Sequence, residues 1–228
     1  LPAEEASAQL RAAGLRLLAL AEVKRFNDWS EARATDAAAL IALARAAGAE
    51  AVALIPRNDG AGMGNGERQA NLRIALRELQ PMLAEAGLIG LVEPLGFEAC
   101  ALRHKAEAVD AITALGAEDR FKLVHDTFHH HLSGDAEVYA RHTGLVHISG
   151  VTDSAPSVAE MTDAHRVLVG EGDRLRNIDQ IAALLQAGYD GPVSFEAFSP
   201  DTHALADPAT ALKTSMDFVT SRLAPLAA

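Results

Sequence analysis

The chain has 228 residues, 49% hydrophobic and 22% charged, so it carries enough apolar material for a sizeable core and no sign of a long disordered tract. Twenty Lys and Arg stand against 31 Asp and Glu, and the resulting formal charge of -11 repels a phosphate backbone, which argues against nucleic acid as a partner. Cys100 is the single cysteine, which excludes an intrachain disulfide or a thiolate metal cluster. With no leader-like segment and no apolar span of about 20 residues, a cytoplasmic location away from the membrane is expected.

In chain order, the pattern predicts a helix over 3–13 and a first strand over 15–22 (LRLLALAE). A helix follows over 31–48, where Ala37, Leu40, Ile41 and Ala44 recur at helical spacing up to Gly48, and then a strand over 51–57. Further helices are expected over 66–87, 105–116 and 177–188, each stopping at a glycine able to close a helix in the left-handed conformation. The remaining strands are 88–95, 121–128, 145–151 and 192–198. These short runs are apolar on both faces, as parallel strands covered by helices are. The mean step between strand centres is about 35 residues, which suits successive units of a (β/α)8 TIM barrel. Six strands do not close eight. One domain spanning 1–228 is therefore expected to lack its first strand, helix and strand, roughly 40 upstream residues.

Four of these strands end on a residue able to bind a metal: Glu93 in LIGLVEPLG, Asp126 in FKLVHDTFHHH, His147 in GLVHISG and Glu196 in GPVSFEAFS. Side chains at the C-terminal ends of barrel strands converge on one mouth, so three carboxylates and an imidazole would form a single divalent-cation site. That donor set favours Mn2+, with Co2+, Mg2+ and Zn2+ as alternatives. His129, three residues beyond Asp126, can face the same cavity as a substrate partner or second ligand. His125, which alternation turns away from Asp126, reads as structural, and His130 and His131 read as rim or oligomer contacts. In HRVLVGEG, Arg166 is suited to donate a fork of hydrogen bonds to a substrate oxygen, the alternative being a surface ion pair. Lys24, Arg25, Phe26 and Asn27 could form a wall of the pocket, with Trp29 covering it, and a helix-to-loop core contact is an equal reading of the two aromatics.

Taken together, LALAEVKRFND, EPLGF, HDTFHHH, VHIS, HRVLVGEG and SFEAFSP resemble the xylose-isomerase-like barrel superfamily, and within it the inosose isomerases. The resemblance implies that Glu93, Asp126, His147 and Glu196 hold one divalent ion while His129 and Arg166 contact a keto-polyol. It further implies that Glu93 and Glu196 exchange a proton between adjacent carbons through an enediolate, as in the isomerases and epimerases of inositol and sugar catabolism. An inosose dehydratase-type lyase on the same residues is the alternative. An endonuclease IV-like hydrolase fits poorly, since it needs more metal ligands and a basic groove. A barrel that binds without turnover would retain the ligands but not use both glutamates. Barrels of this kind often pair, so a homodimer is an open expectation.

Overall fold

The computed structural model describes residues 2–224, and the chain forms two compact units, Leu1–Leu123 and Val124–Ala228. The first unit runs α1 (Ala3–Ala12), β1 (Ala19–Lys24), α2 (Glu31–Ala47), β2 (Ala51–Ile55), α3 (Asn65–Ala86), β3 (Ile89–Val92), α4 (Lys105–Ala114) and the start of β4 (Phe121–Asp126). All strand pairs here are parallel and follow chain order, with Ala19 opposite Ala51, Ala51 opposite Ile89 and Gly90 opposite Phe121.

Local chemistry explains these elements. Ser30 caps α2 by accepting from the Arg33 N–H at 3.2 Å, and α2 ends at Gly48 with φ 72°. Its buried stripe of Ala37, Ile41, Ala44 and Ala47 is narrow and small, letting the helix lie close to the sheet. The core beneath is Leu72, Leu76, Leu79 and Leu83 of α3 against Val52, Leu54 and Val92 of the strands, all no more than 2% exposed. Gly90 makes that packing possible, because a Cβ there would lie 2.8 Å from both Leu54 Cδ1 and Phe121 Cδ1.

The second unit contains the end of β4, α5 (Thr127–Ser133), β5 (Thr143–Ile148), α6 (Asn177–Gln186), β6 (Val193–Phe195), α7 (Pro200–His203) and α8 (Pro208–Leu223). Strands β5 and β6 are parallel, with Val146 opposite Val193 and His147 opposite Ser194. Val146, Ile148, Val169, Ile181, Leu184, Tyr189 and Val219 form the core of this unit.

Several boundaries depart from the sequence reading: β2, β3, β5 and β6 close at Ile55, Val92, Ile148 and Phe195, short of the expected ends at 57, 95, 151 and 198, so Glu93 and Glu196 stand just past their strands. The first strand starts at Ala19 rather than residue 15, since Leu15 is 58% exposed in the lead from α1. Strand β4 stops at Asp126, where α5 begins and takes in residues the pattern gave to the strand. Helix α8 was not expected at all. It buries only Ser215 and Val219, and its Thr- and Ser-rich sequence shows little apolar periodicity; its signals are Asp207, which caps the Thr210 N–H at 3.1 Å, and Pro208 at the first helical position. Among the described residues, no helix is long and apolar enough to cross a membrane.

Candidate metal centre

The register of β5 and β6 brings two of the expected ligands together. His147 pairs with Ser194, and Glu196, two residues further on, returns to the same face of the sheet. The Glu196 N–H donates to Ile148 O at 2.9 Å, extending the ladder past the strand end, and His147 Nδ1 lies 3.3 Å from Glu196 Oε2. Asp126 arrives from β4. Its Oδ1 accepts from the N–H groups of Phe128 and His129 at 2.8 and 3.0 Å, so the carboxylate also caps α5. Asp126, His147 and Glu196 each offer a ligand atom, all within 4.8 Å of one another.

Arg166 organises these carboxylates. The paired strand-like contact of Gly150 and Val167, with hydrogen bonds of 2.7 and 2.8 Å, folds the long connection back onto the segment that follows β5. Arg166 then donates from Nη2 to Asp126 Oδ2 at 2.5 Å and to Glu196 Oε2 at 2.9 Å. Its Nε reaches Ser149 Oγ at 3.0 Å and its Nη1 reaches Asp163 Oδ1 at 3.1 Å. The guanidinium also lies 5.0 Å from the Phe128 ring centroid and 4.9 Å from that of Phe198. At 1% exposure it is buried, not the surface ion pair weighed from sequence.

The electrostatics follow from this packing. Burial alone would raise the Asp126 carboxyl, but Arg166 foremost, with His129, holds it well below the usual carboxylate range. Burial disfavours the Arg166 charge, and Asp126 and Glu196 outweigh that, keeping it above its ordinary value. His129, 5% exposed in the first turn of α5, is pushed down to about 4 by burial, against the pull of Asp126. It is therefore a neutral imidazole at pH 7, and it lies outside the group of converging ligand atoms.

In the first unit, Glu93 directly follows β3, is 4% exposed, and donates its N–H to Leu54 O at 3.2 Å, so the backbone places it at the C-terminal end of that sheet. His125 is fully buried, and its Nε2 lies 2.9 Å from Gln180 Oε1. The sequence reading did not identify Ser149, Asp163, Phe128 or Phe198. Ser149 alone carried a signal, standing two residues beyond His147 and hence on its face of the strand.

The donor set of the second unit suits a cation. One guanidinium faces the carboxylates of Asp126, Glu196 and Asp163, which leaves net negative charge, while the side chains of His147 and Glu196 keep 16% and 26% exposure through which an ion can enter. This carboxylate and histidine cluster can hold a divalent metal ion.

Comparison with known proteins agrees with this architecture. The inosose isomerase of Halalkalibacterium halodurans is 30% identical over 146 residues, 62% of this chain and 50% of that protein, so the match spans about half the length of that relative. A xylose isomerase domain containing protein from Salmonella typhimurium LT2 superposes with a TM-score of 0.86 at 28% identity, over 100% of this chain and 82% of its own. The IolI protein, solved with a bound zinc atom, superposes with a TM-score of 0.86 at 19% identity, over 99% of this chain and 83% of its own. The family described as the xylose isomerase-like TIM barrel matches residues 1–222, and the chain belongs to it.

Proposed function

We propose that this chain is a divalent-metal-dependent isomerase or epimerase of a keto-polyol, an inosose or a ketose. The observation that carries the reading is the convergence of Asp126, His147 and Glu196 around the buried Arg166. Glu93 is assigned as the fourth ligand on its burial and its place at the end of β3. The three ligand carboxylates, one guanidinium and one divalent ion then cancel, and Asp163, whose side chain is 51% exposed, adds one further negative charge that water can screen. Mn2+ suits this donor set best, with Zn2+, Co2+ and Mg2+ as alternatives.

When bound, such an ion supplies Lewis acidity, lowering the pKa of a carbon acid next to a carbonyl. The protein supplies the rest. Glu93 and Glu196 are the groups assigned to take a proton from one carbon and return it to its neighbour. His129, held neutral, is assigned to hydrogen-bond a substrate hydroxyl. Arg166 has its three nitrogens committed to Ser149, Asp163, Asp126 and Glu196, so we assign it to holding the carboxylates rather than to the substrate contact expected from sequence. A cytoplasmic enzyme, single or paired, is part of this proposal.

The test is solvent deuterium incorporation. With Mn2+ present, the protein should exchange deuterium into a keto-inositol or ketose, and Glu196→Gln should abolish exchange while the fold is kept. Undiminished exchange in that variant would refute the role of Glu196, and absence of exchange across a panel of keto-polyols would refute the activity.

A further inference from the structure

The C-terminal ends of the first unit's strands carry a polar group that the chemistry above leaves unused. Arg25, directly after β1, donates from Nη2 to Asp28 Oδ2 at 2.9 Å and lies 3.3 Å from Asp59 Oδ2. Arg57, two residues after β2, donates from Nε to Asp59 Oδ1 at 2.7 Å and stands 3.4 Å from Asp28 Oδ1. Four side chains thus close a ring of alternating charge.

The ring is built into the backbone. Asn27, 4% exposed, accepts the Arg57 N–H at 2.7 Å, and Asp59 Oδ1 also accepts the Ala61 N–H at 3.0 Å. Arg25 is held at φ 54°, a left-handed conformation unfavourable for a residue with a side chain. Ion pairs this open, with side chains 24% to 44% exposed, add little stability, so folding alone does not account for a ring that costs backbone strain. Its position suggests another role. Lys24 pairs with Ile55 and Leu54 with Val92, so the ends of β1, β2 and β3 are level. With strands about 4.8 Å apart, the ring begins about 5 to 10 Å from the strand end that carries Glu93.

We propose that the ring of Arg25, Asp28, Arg57 and Asp59 is a specificity element that hydrogen-bonds the remote hydroxyls of an uncharged keto-polyol and excludes phosphorylated or carboxylated analogues. This rests on the isomerase reading above. Each hydroxyl of a vicinal diol both donates and accepts, which matches alternating guanidinium donors and carboxylate acceptors. A phosphate only accepts at its charged oxygens, and it meets arginines already paired. Glu67 adds a third acid near Arg57, and Lys24 is itself paired with Glu22 at 3.3 Å, so the rim offers an anion no net positive charge.

The single tryptophan, Trp29, adjoins Asp28 and serves as a reporter. In fluorescence titrations of the wild-type protein, myo-inositol should shift Trp29 emission and inorganic phosphate should not. Asp28→Asn with Asp59→Asn strips both arginines of their partners. Phosphate affinity should then rise at least about tenfold while inositol binding weakens. Phosphate binding already present in the wild type, or unchanged in the folded double variant, overturns the proposal. Should the double variant not fold, kinetics of the wild type decide: a kcat/KM for a phosphorylated ketose equal to or above that for its neutral parent overturns it, and a lower one supports it. Failure of deuterium exchange with the titrations as expected would sink the isomerase reading and leave the ring a polyol site; exchange without discrimination would sink only the ring.

Discussion

Arg166 and Asp126 form an ion pair in which neither side chain is more than 1% exposed, with Nη2 2.5 Å from Oδ2. Breaking such a pair strands a charge that water cannot reach. Arg166→Met leaves Asp126 and Glu196 without their shared counter-charge and should cost about 3 to 5 kcal/mol. Arg166→Lys keeps the charge, but one ammonium cannot span Ser149, Asp163, Asp126 and Glu196 together, so an intermediate loss is expected. Urea titration followed by circular dichroism measures both. A methionine variant as stable as the wild type would remove Arg166 from its role.

A ligand that binds only the folded chain raises its stability by mass action, about 2.7 kcal/mol at a free concentration a hundred times Kd. Mn2+ should therefore raise the melting temperature of the wild type, and a chelator should reverse the rise. Asp126→Asn and His147→Ala should each flatten the response. Glu93→Gln should flatten it as well, and an undiminished response there would remove Glu93 from the ligand set.

Cys100 is 0% exposed, and burial pushes its thiol from 9.0 up to about 11. At pH 8 the folded chain then carries about a hundredfold less thiolate than the unfolded chain. A disulfide reagent should react at least that much more slowly with native protein than with protein in urea. The sign of the linkage also follows. The folded state holds this proton more tightly, so the stabilising contribution is whole below about pH 9 and falls away as pH rises toward 11. Equal native and unfolded reaction rates at pH 8 would contradict the burial.

The legible parts of this chain are those fixed by local pattern. Gly48 and Gly87 announced the ends of α2 and α3 because a left-handed residue closes each helix, at φ 72° and 69°. Asp126, His147 and Glu196 stood out because each ends an apolar run. Their convergence follows from strand ends that share one mouth; what no local pattern sets is the register that pairs His147 with Ser194 and so puts His147 and Glu196 on one face. Arg166 illustrates the limit. Its partners Ser149 and Asp126 lie 17 and 40 residues away, and the Gly150 to Val167 bridge, together with the Ser199 N–H donating to Arg166 O at 2.7 Å, holds the loop that carries it. For the Arg25 ring the sequence indicates no more than a pocket wall, because the acids that neutralise it come from two separate loops.

The hydrogen bonds of Gln180 fix the position of a proton. Gln180 Nε2 donates to Leu175 O at 2.7 Å and Thr127 O at 3.1 Å, which uses both amide hydrogens. Oε1 can therefore only accept, and the proton between it and His125 Nε2, at 2.9 Å, belongs to the histidine. This ties α6 to the turn that follows Asp126. Gln180→Leu leaves His125 and two carbonyls without this partner and should cost about 1 to 3 kcal/mol. Gln180→Glu can still accept from His125 but cannot donate to either carbonyl, so it should not restore wild-type stability. Nitrogen NMR of His125 should show a protonated Nε2 in the wild type; a glutamate variant with undiminished stability, or a bare Nε2, would reverse the assignment of donor and acceptor.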